Sequence, residues 1–356
     1  MRITVIGGGN IGTLMAAEMA HKGHQVTMYT SKPQKWHRKL EVYDIKENYI
    51  LGGILYKVTN SIKEAIEDAE YIWVAMPAQL LSSIAFKMLP YVKTKQKIGI
   101  VPGSGGAEFA FKEFIKKGCI LFGLQRVHSI ARLKEYGKSS YMLGRKKNIY
   151  IASIPRKEVK CICKDVSFLF NMPCEPLDNY LSVTLTPSNP ILHTTRLYSI
   201  FKDYKEGVFY PENILFYEKW TDDSSEMLIA CDKELQELCD KISLNLESVK
   251  SLTEYYESSS ASQMTHKIRN IKAFKGLTSP MKKTKNGWVP DFTSRYFKSD
   301  FSFGLKIIKD IAEEFDLRTP NIDTVWKWYE DVALSYGEEV FKLNTNKEEF
   351  VELYTI

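Results

Sequence analysis

The first half of the chain alternates short apolar runs with segments of helical pattern. Two of the helical segments lie at Leu14–His21 and around Leu80–Leu89. The apolar runs are too short for helices and predict strands, which we place at Met1–Ile6, Gln25–Thr30, Tyr71–Met76, Lys97–Val101, Cys119–Leu124 and Asn148–Ala152. Strands separated by helices are typical of a doubly wound, mostly parallel sheet, which predicts an α/β fold for this half.

The second half of the chain has a different pattern, in which helical segments dominate. They are predicted at Ile191–Tyr204, Ser224–Ile242, Ser259–Phe274, Phe301–Phe315 and Asn321–Tyr336. A long loop with Pro280 and Pro290 interrupts them. Because single cores stop growing at about 250–300 residues, a chain of 356 residues favours two domains. We predict an α/β domain over residues 1–180 and an all-helical domain over residues 181–356.

A glycine-rich motif joins the first predicted strand to the first predicted helix. It reads Gly7-Gly8-Gly9-Asn10-Ile11-Gly12 and fits the pattern G-x-G-x-x-G. In that pattern Gly7 permits the tight turn, Gly9 lets the backbone approach a pyrophosphate, and Gly12 lets helix and strand pack closely. The phosphates lie at the helix N-terminus. The motif therefore predicts a Rossmann-type NAD(P)-binding domain, with a tight turn in some other α/β protein as the alternative.

The residues after the second predicted strand bear on the choice of nucleotide. NAD-binding domains usually place an acid there for the ribose hydroxyls, but here Thr30-Ser31-Lys32 follow the strand, then Lys35, with no acid before Glu41. Hydroxyls and cations bind a 2′-phosphate, whereas a carboxylate repels it. We therefore favour NADP(H) over NAD(H); a solvated basic loop is the alternative. Further cofactor contacts are predicted where the next strands end, at Pro77, Gly103 and Ser104.

The composition excludes several other classes of protein. The net charge of +6 is mild, and the basic residues are spread among acids, so no nucleic-acid partner is expected. No apolar run reaches the roughly 18–20 residues of a membrane span, and the apolar stretch at the N-terminus is too short for a signal peptide. The six cysteines form no CxxC pair, so we expect a cytoplasmic protein with free thiols and no metal site.

Two segments of the helical half carry candidate chemistry. The first contains Asn189-Pro190-Ile191-Leu192-His193, in which Asn189 is predicted to cap a helix that begins at Pro190. The second runs from Arg295 to Leu305, and Asp300 is there predicted to cap a helix that begins at Phe301. Taken alone, each segment has a non-catalytic explanation, in which His193 is structural and Asp300 caps a helix.

Together with the glycine motif, these segments resemble the octopine/nopaline (opine) dehydrogenase family. The family joins a dinucleotide-binding domain to a helical domain, and it reductively condenses the amine of an amino acid with a 2-oxo acid, using NAD(P)H. The resemblance implies that His193 and Asp300 form a catalytic pair and that Arg295 binds a substrate carboxylate. Gln125, in a segment that matches the family more loosely, is a candidate contact to the oxo acid. Thr194 departs from the family, in which a proline often follows the histidine.

The resemblance thus implies an NAD(P)H-dependent opine dehydrogenase in which hydride reduces an imine, with pyruvate as the default oxo acid. Two alternatives remain open. One is a ketopantoate-reductase-like 2-oxo acid reductase, although the Lys and Glu on which such enzymes usually rely cannot be identified here. The other is a non-catalytic NADP(H)-sensing protein. The expected partners are small-molecule substrates, and the assembly state, a homodimer included, is left open by the sequence.

Overall fold

The computed structural model describes residues 1–333 and 339–356. The chain divides into two units, one formed by Met1–Thr184 with Val351–Ile356 and the other by Leu185–Phe350. The sequence prediction assigned the last six residues to the second domain, whereas the structure groups them with the first. The described part of the helix predicted at Asn321–Tyr336 ends at Val332, and the prediction for residues 334–336 lies outside the described residues.

The strands of the first unit form two sheets. In chain order they are β1 (Arg2–Ile6), β2 (Gln25–Tyr29), β3 (Lys39–Tyr43), β4 (Tyr49–Ile54), β5 (Lys57–Thr59), β6 (Tyr71–Val74), β7 (Lys97–Ile100), β8 (Ile120–Leu124), β9 (Ser129–Glu135), β10 (Ser139–Arg145), β11 (Ile149–Ile154) and β12 (Cys174–Pro176). The larger sheet has the order β12-β11-β8-β7-β6-β1-β2-β5. Its neighbours are parallel except β8 and β11, which confirms the predicted mostly parallel sheet.

A smaller sheet, which the sequence pattern did not predict, has the order β4-β3-β10-β9. Its strands mix buried positions with exposed charged ones: β9 alternates buried Ala131 with exposed Arg132 and ends in exposed Lys134 and Glu135. Such strands lack the continuous apolar run of a strand that is buried on both faces. The prediction from apolar runs therefore found most of the larger sheet and missed the smaller one.

The helices of the first unit connect the strands. They are α1 (Asn10–His21), α2 (Ile62–Ile66), α3 (Leu81–Met88), α4 (Ala107–Ala110), α5 (Lys112–Lys116), α6 (Val159–Phe170) and α7 (Leu181–Thr184). Every residue of α1 from Gly12 to Ala20 is buried, because this helix contacts strands of both sheets. A helix that is buried all round is apolar all round, as the buried part of α1 is apart from Thr13 and Glu18.

The second unit is mainly helical. Its helices are α8 (Leu192–Phe201), α9 (Asp222–Lys241), α10 (Leu252–Tyr255), α11 (Ala261–Asn270), α12 (Lys306–Glu314) and α13 (Pro320–Val332), and α14 (Lys347–Thr355) follows at the end of the chain. A π-helical segment, Tyr296–Leu305, precedes α12. The predicted helical second domain is confirmed, although β13 (Met281–Thr284) and β14 (Gly287–Pro290) add an antiparallel hairpin that the sequence pattern did not predict. Within the described residues, no helix has the length and apolar character needed to cross a membrane.

Candidate active site

The glycine motif forms the turn between β1 and α1, and its glycines meet different constraints. Gly7 has a φ of 109°, and a Cβ there would lie 2.5 Å from the Ala75 carbonyl oxygen. A Cβ on Gly12 would lie 1.8 Å from the Gly7 carbonyl oxygen. A Cβ on Gly9, by contrast, would meet no atom within 4 Å. Gly7 and Gly12 are thus required by the protein's own packing, whereas Gly9 leaves room beside the start of α1, as a bound pyrophosphate requires.

Asn10 and Ile11 begin α1. The side-chain oxygen of Asn10 accepts a hydrogen bond from the backbone N–H of Leu133 at 2.8 Å, so this side chain links the helix start to β9. The first N–H groups of an α-helix have no partner within the helix. The backbone amides are therefore the groups that these two residues offer to an anion.

The segment after β2 combines hydroxyls with positive charge. Thr30 is buried, and its Oγ1 accepts a hydrogen bond from the Lys32 backbone N–H at 3.3 Å and lies 3.2 Å from the Tyr136 hydroxyl. Ser31, Lys32 and Lys35 are exposed. Burial raises the pKa of Tyr136, but its interactions with Thr30 and the Trp36 indole and the charges of Lys32 and Lys35 outweigh burial and lower it. The positive charges of Lys32 and Lys35 therefore lie close to the end of β2.

The remaining predicted nucleotide contacts follow β6 and β7. Pro77 directly precedes a 3₁₀ turn, Ala78–Leu80. Gly103 is buried; a Cβ there would lie 2.6 Å from Gly123 Cα, and its carbonyl accepts a hydrogen bond from the Tyr180 hydroxyl at 3.0 Å. Packing accounts for the glycine at this position. Ser104, the next residue, is half-buried.

Gln125, the predicted oxo-acid contact, directly follows β8 and is buried. Its backbone N–H donates to the Tyr150 carbonyl at 2.9 Å, and its side-chain oxygen accepts a hydrogen bond from the Arg126 guanidinium at 3.4 Å. The positive charge of the Arg126 guanidinium thus lies beside the Gln125 side chain, which suits an anionic substrate. Its contact with the oxo acid stays a prediction.

The structure brings His193 and Asp300 together in the second unit. The imidazole Nδ1 lies 2.8 Å from Asp300 Oδ2, and the side chains are only 12% and 14% exposed. The two helix caps predicted near these residues, at Asn189 and at Asp300, were wrong. Helix α8 begins at Leu192 with no side-chain cap, rather than at Pro190 behind a capping Asn189. Asp300 caps no helix, because it lies inside the π-helical segment. Such segments occur frequently at functional sites.

Tyr217 is a member of this site that the sequence analysis missed. Its hydroxyl lies 3.1 Å from His193 Nε2, so both ring nitrogens are engaged. The tyrosine ring is 5% exposed and stacks on Phe274 with the ring centroids 4.0 Å apart. Phe216 and Tyr296 pack beside the imidazole at 5.7 and 4.9 Å. In a chain with 20 tyrosines no local pattern distinguishes Tyr217.

Buried Arg196 holds the segment that carries Tyr217. Its guanidinium donates to the carbonyls of Phe216 at 2.9 Å and Lys219 at 2.7 Å and to the Ser224 hydroxyl at 2.9 Å. Burial, and next the charge of Arg269, lower the pKa of Arg196 to about 9. Because three acceptors fix this side chain, the segment of Phe216 and Tyr217 is held against α8.

Arg295 directly precedes the π-helical segment, five residues before Asp300, and is exposed. An exposed guanidinium there is accessible to an anionic substrate, and its carboxylate-binding role stays a prediction. Across the described ranges 1–333 and 339–356, no cluster of three or more His, Cys, Asp or Glu residues has a geometry that would hold a metal ion.

Comparisons with known proteins agree with this organisation. Residues 176–333 match the family model for the NAD/NADP octopine/nopaline dehydrogenase α-helical domain. Residues 2–115 match the model for the N-terminus of NAD-dependent glycerol-3-phosphate dehydrogenase. Tauropine dehydrogenase from Arabella iricolor is 25% identical to this chain over 92% of the chain and 90% of that protein.

Two sets of solved structures share the fold. Octopine dehydrogenase with NADH and L-arginine has a TM-score of 0.82 at 22% identity, over 93% of this chain and 89% of that one. Yersinopine dehydrogenase with NADP⁺ has a TM-score of 0.68 at 12% identity, over 94% and 91%. Both superpose over nearly the whole chain.

A nucleotide-binding glycine motif on a parallel sheet, joined to this helical domain, defines a pyridine-nucleotide-dependent dehydrogenase. The second half of the chain matches the octopine/nopaline dehydrogenase helical domain, and tauropine and octopine dehydrogenases are similar to nearly the whole chain. These similarities confirm the resemblance of its motifs to that family.

Proposed function

We propose that this chain condenses the amine of an amino acid with a pyruvate-like 2-oxo acid and reduces the resulting imine at the expense of NADPH. The observation that carries the proposal is the hydrogen bond between His193 and Asp300 in a domain of this family. Relatives named as tauropine and octopine dehydrogenases, and octopine dehydrogenase structures that contain pyruvate or L-arginine with NADH, support it.

The residues of the glycine motif fit a dinucleotide. The room at Gly9 and the amides at the start of α1 would hold the pyrophosphate. Thr30, Ser31, Lys32 and Lys35 would hold a 2′-phosphate through charge-assisted hydrogen bonds, which favours NADP(H) over NAD(H). When bound, the reduced nucleotide supplies the hydride that the imine carbon accepts.

His193 would move protons in the condensation. Asp300 accepts the Nδ1 proton, so Nε2 of the neutral imidazole is the basic nitrogen, in the manner of an Asp–His pair in hydrolases, and it accepts a hydrogen bond from the Tyr217 hydroxyl. An amine must lose its ammonium proton before it attacks the oxo acid, and the carbinolamine must gain a proton before its hydroxyl leaves as water. Histidine suits both transfers because it gives and takes protons near neutral pH.

Two further residues would orient the substrates. Arg295 would hold a carboxylate through two parallel N–H···O bonds, which sets orientation as well as charge. Gln125 would contact the oxo acid. A cytoplasmic location is a further proposal from the sequence alone, and a homodimer stays one of the assembly states that the sequence leaves open.

The deciding experiment measures NADPH oxidation with pyruvate alone and with pyruvate crossed against the twenty amino acids. We expect slow oxidation without an amine, fast oxidation with at least one amino acid, and a secondary-amine product by mass spectrometry. His193→Ala is the matched inactive variant. Equally fast oxidation with the oxo acid alone, giving a 2-hydroxy acid, would identify a simple 2-oxo acid reductase instead.

A further inference from the structure

We propose that Tyr136, from the smaller sheet, is a specificity-determining contact to the 2′-phosphate of NADP(H), completing an anion site with Thr30, Lys32 and Lys35. The inference rests on the proposed nucleotide site and extends it to a residue outside the Rossmann-type sheet. Tyr136 lies in the turn between β9 and β10, more than 100 residues from β2 in sequence but in contact with the end of that strand.

The β9–β10 turn docks on the chain just after β2. Gly137 has a φ of 73°, and a Cβ on it would lie 2.3 Å from the Lys35 carbonyl oxygen. The carbonyl of Gly137 accepts a hydrogen bond from the His37 backbone N–H at 2.9 Å. The close backbone approach that glycine allows therefore places the neighbouring Tyr136 beside the basic segment.

Trp36 connects this turn to the glycine motif. Its ring packs edge-to-face on Tyr136 with the centroids 5.8 Å apart. The same ring lies against the motif, because a Cβ on Gly8 would be 2.4 Å from it. A single buried indole thus touches both the loop expected to hold the pyrophosphate and the tyrosine expected to hold the 2′-phosphate.

The hydroxyls of Thr30 and Tyr136 together offer one O–H donor to an anion. The Thr30 oxygen already accepts the Lys32 backbone N–H and lies 3.2 Å from the Tyr136 hydroxyl. Two hydroxyls that share one hydrogen bond use one of their two protons. The second proton is available to a phosphate oxygen, and Tyr136, which is 39% exposed, reaches the surface where that phosphate would lie.

The charges around Tyr136 favour an anion. Burial raises the pKa of the Tyr136 hydroxyl, whereas its interactions with Thr30 and Trp36 and the positive charges of Lys32 and Lys35 lower it. The adjacent acid, Glu135, is paired with Lys138 at 2.9 Å. Glu41, the first acid after β2, is bound to Lys39 at 2.8 Å and accepts from the Tyr43 hydroxyl at 2.7 Å. Both of these carboxylates are thus paired with lysines, which reduces their repulsion of a phosphate.

The test compares the binding of 2′,5′-ADP and 5′-AMP to the full chain by isothermal titration calorimetry. We expect the wild type to bind 2′,5′-ADP more tightly than 5′-AMP. Tyr136→Phe should lower the affinity for 2′,5′-ADP about tenfold and change the affinity for 5′-AMP less than about twofold, because only 2′,5′-ADP loses a hydrogen bond to a charged group. Tyr141→Phe, on β10 with its hydroxyl bonded to Glu47, is the matched control and should change neither affinity. Thermal unfolding of both variants verifies that they fold.

If Tyr136→Phe lowers the affinity for both ligands equally, or leaves both affinities unchanged, the proposed role of Tyr136 is overturned. A wild type that binds the two ligands equally would overturn the NADP(H) preference together with this inference. Neither result depends on the amino-acid condensation, because both ligands lack the nicotinamide. Failure of the proposed reaction would instead be seen only in the NADPH-oxidation assay.

Discussion

His193 and Asp300 are 107 residues apart in sequence and are joined by a 2.8 Å hydrogen bond. One lies at the start of α8 and the other inside a π-helical segment. The contact lets the aspartate select the tautomer in which Nε2 is the acceptor.

Replacing either member of the pair should impair turnover more than nucleotide binding. We expect His193→Ala and Asp300→Asn each to lower kcat at least about 100-fold, because positioned acid–base catalysis contributes about 10²–10⁴-fold. NADPH affinity, measured by fluorescence titration, should stay within about twofold of the wild type. A His193→Ala enzyme with near-native kcat would show that another group moves the protons.

Arg295→Ala should raise the KM for the oxo acid about tenfold or more, because a charge-assisted bidentate contact is lost. Arg295→Lys should recover only part of the loss, since an ammonium lacks the planar fork. Arg318→Ala, at another exposed arginine of the same unit, serves as the control. Steady-state kinetics at saturating amine measures the effect, and an unchanged KM in Arg295→Ala would refute the carboxylate role.

Tyr217→Phe should lower kcat about fivefold and leave both KM values nearly unchanged. The substitution keeps the ring that stacks on Phe274 and removes only the hydroxyl bonded to His193 Nε2, for which about 1 kcal/mol is typical. Tyr198→Phe, on the same helix as His193, is the matched control. The comparison requires kcat–pH profiles, and coincident profiles for wild type and Tyr217→Phe would exclude a part for the hydroxyl in proton transfer.

Glu108 should make the stability of the protein depend on pH. Burial raises the pKa of this carboxyl from 4.5 to about 7, although the hydroxyls of Thr184 and Tyr354 donate to it. Between those values the unfolded chain ionises while the folded one keeps the proton, so stability falls as the pH rises from 4.5 and levels off above 7. The total loss is about 3 kcal/mol.

Glu108→Gln should remove that dependence, because an amide oxygen accepts both hydroxyls and does not ionise. Urea unfolding at pH 5 and pH 8 measures it, with the exposed neighbour Glu113→Gln as the control. The assignment fails if wild type and Glu108→Gln lose equal stability between these two pH values.

Local signals in the sequence predicted some elements well and missed others for identifiable reasons. Strand β6 is buried at every position and appears as an apolar run, as expected for a strand covered on both faces. Strands β9 and β10 carry exposed charged residues and were missed, and Tyr136 was missed with them. The loop predicted around Pro280–Pro290 contains a hairpin whose strands are mostly exposed or half-buried.

The glycine motif, the parallel sheet and the change to a helical second half were determined by the sequence alone. Each depends on local properties: glycine's access to a positive φ, the absence of a Cβ where backbones meet, and runs of apolar residues. The motifs also revealed the resemblance to the opine dehydrogenase family. Only the tertiary structure decided that Asp300 accepts a hydrogen bond from His193 instead of capping a helix, and that Tyr217 and Tyr136 reach their partners. Contacts between residues so distant in sequence depend on how whole elements pack, and no local pattern specifies that packing.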